Sequence, residues 1–189
     1  MPGGEGWAEA PPTWALPVTV AGDLVLVREG GVLVSVGAIC ACPVGFVFYL
    51  VISLDPHPAA GWLKGVTGSR LFGFHVRTPE ERESAARIVV SFPGGRTADS
   101  VASMTGVTPG EPVLSFAGGD SVIPAYAPAL RAESRWWVSP LPGPGQVEFS
   151  VFLRGAAEPD GTASMDAAGI IDAASRSQVL WPGVEPAPP

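Results

Sequence analysis

The sequence predicts an all-β fold: a β-sandwich-like antiparallel domain with a short C-terminal helix. Three observations carry that expectation. The run GGVLVSVGAICACPVGFVFYLVISL, residues 30–54, has no charge and is divided near its middle by Cys42-Pro43-Val44-Gly45. Glycine (24) and proline (21) fall between alternating apolar runs, as many turns between short strands would place them. Val147, Phe149, Val151 and Leu153 alternate with Gln146, Glu148, Ser150 and Arg154, the pattern of a half-buried strand.

The uncharged run reads as a hairpin. Xaa-Pro-Xaa-Gly suits a type I turn followed by Gly45 in the left-handed region as a bulge. That turn predicts the pairs Cys42 with Phe46, Cys40 with Phe48, Ala38 with Leu50, Val36 with Ile52 and Val34 with Leu54. All these residues are apolar, and period two puts them on one face. Small side chains on one strand meet large ones on the other, as a packed layer requires. The other face carries Ser35, Gly37, Ile39, Ala41, Val47, Tyr49, Val51 and Ser53. The run also meets the length rule for a membrane-spanning helix, about 20 apolar residues. Such a helix would have to absorb Pro43, Gly37, Gly45 and many β-branched residues, so the strand reading is preferred and a span over 30–54 stays the alternative.

The remaining elements follow in order. Residues 1–12 read as a flexible N-terminal arm. Residues 14–20 and 24–28 are β-prone, with Ala21-Gly22-Asp23 as the turn between them. Residues 56–68 read as a loop, and 71–77 alternate as a strand. Thr78-Pro79-Glu80-Glu81 has the form of a capping box with proline at the first helical position. Ile88, Val90 and Phe92 form a strand running into the turn Pro93-Gly94-Gly95. Residues 97–112 look polar and irregular. Short strands are expected at 113–116, 122–126 and 135–138, before the Pro-rich connection 140–145. Asp166 can cap a helix over 166–176 whose apolar stripe is Ala167, Ile170, Ile171 and Ala174. One β-rich domain over 13–182 and a Pro-rich tail over 183–189 complete the chain.

Composition bounds the function. At 189 residues, one domain with a substantial core is the default, and 47% hydrophobic content fits a globule. A net charge of −7 argues against nucleic acid as a partner and against an anionic membrane surface. Lys64 is the sole lysine among many arginines, a bias of GC-rich genomes. The N-terminus lacks the positive start of a secretory signal, because Glu5, Glu9 and Asp23 precede Arg28. Cys40 and Cys42, two apart on one strand, do not suit disulfide geometry and read as buried reduced thiols of a cytoplasmic protein.

Three segments together resemble a family of small actinobacterial β-rich proteins with no established activity. They are the hairpin with its CPVGFVF turn, RIVVSFPGGR at 87–96, and RWWVSPLPGPGQVEFSVFLRGA followed by MDAAGIIDAASRSQVLWP. Together they span most of residues 30–182. The resemblance implies a single β-rich domain and carries no cofactor or catalytic residue. Residues 71–84 read as an insertion relative to it, and Pro93-Gly94-Gly95 stands where an Asp-Gly turn is common.

Candidate chemistry is sparse. Gly119-Asp120-Ser121-Val122 matches the nucleophile block of GDSL-type hydrolases, but the needed histidine should follow it. The only histidines, His57 and His75, precede it, and the strand–Ser–helix context is missing. Two cysteines at C-x-C spacing do not make a zinc site. Asp160-Gly161 reads as a turn, and Glu80, Glu81 and Glu83 complement a helix start. No nucleotide-binding glycine motif is present. No catalytic, metal or cofactor residue is therefore assigned. Trp136 and Trp137 are the candidate partner-binding residues: adjacent in a strand, one should face the core and the other outward, beside a rigid turn. The expected function is a non-enzymatic binding or structural β-domain with a protein partner. The alternatives are a small hydrolase using Ser121 and a membrane-anchored protein.

Overall fold

A computed structural model describes residues 10–20, 22–55, 86–101, 110–119, 130–153 and 156–180. The strand expected at 71–77, the capping box at 78–81 and the strand expected at 122–126 lie outside the described residues.

The strands are β1 (Ala15–Leu16), β2 (Val18–Val20), β3 (Leu24–Glu29), β4 (Val32–Cys42), β5 (Gly45–Leu54), β6 (Arg87–Ser91), β7 (Thr97–Asp99), β8 (Val113–Gly118), β9 (Leu130–Ser139), β10 (Gln146–Phe152), β11 (Gly161–Asp166) and β12 (Gln178–Val179). One helix, α1 (Ala168–Ser175), lies between β11 and β12. A six-stranded sheet has the order β2-β4-β5-β9-β8, with β3 also on β4. A four-stranded sheet has the order β11-β10-β6-β7, and β1 and β12 form a two-stranded ribbon. The two larger sheets pack face to face, so the all-β sandwich-like fold with its short C-terminal helix is as the sequence predicts.

The uncharged run is two strands, and the membrane-helix alternative falls with that. No helix among the described residues is long and apolar enough to cross a membrane. The register differs from the predicted one at both ends. At the turn Cys42 pairs with Gly45, leaving only Pro43 and Val44 as the loop. Gly45 does not have positive φ. Its role is steric: a Cβ there would run into the Val138 carbonyl and the Trp137 ring. Further along, Ile39 pairs with Phe48 but Val36 pairs with Leu50, so Gly37 and Ala38 together oppose Tyr49. This is a β-bulge, two residues against one.

The bulge reverses the faces of the second half of β4. Val34 and Val36 point into the core as expected, but beyond the bulge Ile39 and Ala41 take the inward positions. Cys40 and Cys42 turn to the opposite face, and Ala38 is exposed. On β5 the alternation is unbroken, and Phe46, Phe48, Leu50, Ile52 and Leu54 are all buried in the core as predicted.

The bulge also explains the neighbouring edge. Strands β2 and β3 do not pair with each other across residues 21–23. Both pair with β4, β2 against 39–41 and β3 against 32–36. Their break lies beside Gly37 and Ala38, where β4 itself loses register.

Between the sheets, Phe149 of β10 meets Phe46 and Phe48 edge-on, with ring centroids 6.4 and 5.2 Å apart. Ile88, Val90, Val147 and Val151 fill the same layer. The core is therefore the hairpin against 88–92 and 147–153, as the alternation predicts. Helix α1 adds Ile170, Ala173 and Ala174 to this core beside β2 and β4. The helix starts later than expected: Asp166 ends β11 and its Oδ1 accepts from the Ala168 N–H at 2.8 Å, but the N-cap is Ala167, with no side-chain cap bond.

Three strands were not expected: β7, β11 and the two-residue β12. Residues 97–99 form β7, tied to β6 by the Arg87–Asp99 ion pair at 2.6 Å and by the Ile88 N–H donating to Ser100 Oγ at 3.0 Å. Residues 161–166 form β11, a small-polar strand held by its ladder to β10. It runs close to β3, where a Cβ on Gly161 would collide with the Leu26 carbonyl.

Candidate functional site: the outer face of the six-stranded sheet

The tryptophan pair does alternate across β9, but neither ring meets solvent. Trp136 lies in the central core, 3% exposed, and its Nε1 donates to Ser134 Oγ at 2.8 Å. Trp137 lies on the opposite, outer face of the sheet and is 1% exposed. The expectation of an outward, accessible tryptophan does not hold, because a second apolar layer covers it. The β1–β12 ribbon packs Trp14, Ala15 and Val179 over Cys42, Val47 and Trp137. Ribbon pairing of Ala15 with Val179 and the Leu180 N–H bond to the Trp14 carbonyl, 2.7 Å, hold this lid down.

The outer face continues beyond the ribbon. One row across the sheet runs Val25, Ser35, Val51 and Glu133, and the next runs Arg28, Leu33, Ser53 and Arg131. Tyr49 faces Arg135 in a third row, on the side of the ribbon. Leu33, Tyr49 and Val51 are half-buried, and Val25 is 43% exposed. Arg131 and Glu133 pair at 3.2 Å, both well exposed. Arg135 reaches along its own face to the Ala117 carbonyl, with Nε at 2.9 Å. It closes the register shift between Phe116 and Gly118 of β8.

Exposed apolar side chains concentrate on this side. Leu16 (49%) and Leu180 (39%) lie on the ribbon that covers the sheet, and Val25 on the sheet itself. Phe116, 42% exposed, is the exception. It pairs with Trp136 at the rim of the inner face, ring centroids 5.8 Å apart. The four-stranded sheet shows the opposite chemistry. Its outer face is mostly polar, with Thr162, Ser164, Ser91, Thr97, Glu148, Arg87 and Asp99, a buried Ser150 whose hydroxyl lies 3.1 Å from that of Thr162, and only Val89 and Phe152 apolar, both half-buried.

The cysteines are free: Cys42 is buried and Cys40 half-buried. Burial under the ribbon pushes the Cys42 thiol above its ordinary 9.0, while the Val44 and Gly45 amides pull it the other way more weakly. Cys40 lies 3.6 Å from the Thr19 hydroxyl. Among the described residues no group of three or more His, Cys, Asp or Glu side chains could hold a metal. Asp120, Ser121, His57 and His75 lie outside the described residues.

The chain matches no protein-family model, no curated protein and no solved structure.

Sequence reasoning placed Tyr49 and Val51 on the face opposite the core but gave that face no function. The signal was present: Val25, Leu33, Tyr49 and Val51 are more apolar than one solvated face needs. β1 falls in the run 14–20 read as β-prone, but β12 and its pairing with β1 were not visible, since the two strands are two residues each and far apart in the chain.

Proposed function

We propose that this chain is a non-enzymatic binding or structural β-domain that engages a protein partner through the outer face of its six-stranded sheet. One observation carries the reading: Val25, Leu16 and Leu180, three of the four large hydrophobic side chains exposed among the described residues, lie on that side. Exposed apolar side chains gathered on one side of a domain and flanked by charge are a common mark of an interaction site. Here the rim is Arg28, Arg131, Glu133 and Arg135. Trp137 acts from beneath, packed against the ribbon and against Gly45 of the hairpin turn, while Trp136 belongs to the central core. We further infer membership of the small actinobacterial β-rich family and a cytoplasmic location. The placing of its three characteristic segments in the hairpin, in β6 and from β9 to α1 supports the first, and the two free cysteines agree with the second.

The test is retention of partners by the tagged chain in the cell that makes it. Val25→Arg with Val51→Arg disrupts the face, and Ser164→Arg on the four-stranded sheet serves as control. A protein held by the parent chain and by S164R, and reduced at least about tenfold with V25R/V51R, supports the reading. Identical retention by all three folded chains, or retention by none, overturns it.

A further inference from the structure

We draw no further inference here: the strongest candidate, the uncovered part of the outer face of the six-stranded sheet around Val25, Leu33, Tyr49 and Val51, belongs to the surface already assigned to partner binding, and nothing in the structure shows what covers it.

Discussion

The outer faces of the two sheets differ more than their inner faces do. Both inner faces are close-packed aliphatic and aromatic layers. Outside, the exposed positions of the four-stranded sheet are polar, Thr162, Ser164 and Thr97 among them, and its apolar members Val89 and Phe152 are half-buried, the usual arrangement for an antiparallel sheet with one solvated face. The six-stranded sheet instead carries a second apolar layer, part of it closed by the ribbon and part left open. Among the described residues, most of the large apolar side chains left exposed lie on one side of the larger sheet. A surface that only needed solubility would not be built that way, and this asymmetry directs the functional reading to that face.

The comparison can be broken first in the core the two sheets share. Phe149→Ala removes the ring that links them and leaves a cavity against Phe46 and Phe48. The expected loss is about 3–5 kcal/mol, measured by urea unfolding. A loss below about 1 kcal/mol would mean that the sheets are not packed through this ring.

The ribbon layer is expected to behave differently. Trp14→Ala empties the cover over Cys42 and Trp137, but only the ribbon depends on it. Its cost is limited by the free energy of docking the ribbon, and we expect about 2 kcal/mol, with faster amide exchange confined to β1 and β12. Uniformly faster exchange across both sheets would show that the ribbon is part of the central core.

Cys42 gives the same layer a pH signature. The folded chain holds this thiol proton to a higher pH than the unfolded chain does. The resulting stability is complete below the unfolded value, near pH 9, and is lost as pH rises from there through the folded value. The slope in that window is at most about 1.4 kcal/mol per pH unit. Unfolding midpoints between pH 8 and 10.5 should fall more steeply for the parent chain than for Cys42→Ala. Equal slopes would place the thiol in contact with water.

The smallest effect belongs to the solvated sheet. Ser150→Ala removes the hydroxyl pair with Thr162, and the expected cost is about 1 kcal/mol or less. A much larger loss in urea unfolding would show that the buried Ser150 hydroxyl, 6% exposed, holds β11 on β10.

What was legible in the sequence follows from how local each signal is. The alternation of β10 and β5 survives in the fold because neither strand departs from period two. The hairpin was legible as a hairpin, but its register was not. A bulge costs one residue of alternation, and Gly37-Ala38 has too little side chain to reveal it. The large Ile39 on the supposedly outer face was the available clue. Strand β11 was missed because its small polar residues have weak strand preference and gain their order from the β10 ladder. The candidate site was half legible. Alternation separated Trp136 from Trp137 correctly, but burial of Trp137 depends on the remote ribbon, and no local pattern encodes that pairing.

The bulge in β4 decides which residues face the core and which face the second layer, so cysteine labelling around it tests the central claim most directly. In a Cys40→Ala, Cys42→Ala background, Ala38→Cys should react with a thiol reagent almost as fast as a free thiol. Ile39→Cys should react at least about a hundredfold more slowly, because it is reached only when the structure opens. The reverse order, with residue 38 protected and residue 39 reactive, is what unbroken alternation from Val36 requires and would contradict the two-faced hairpin.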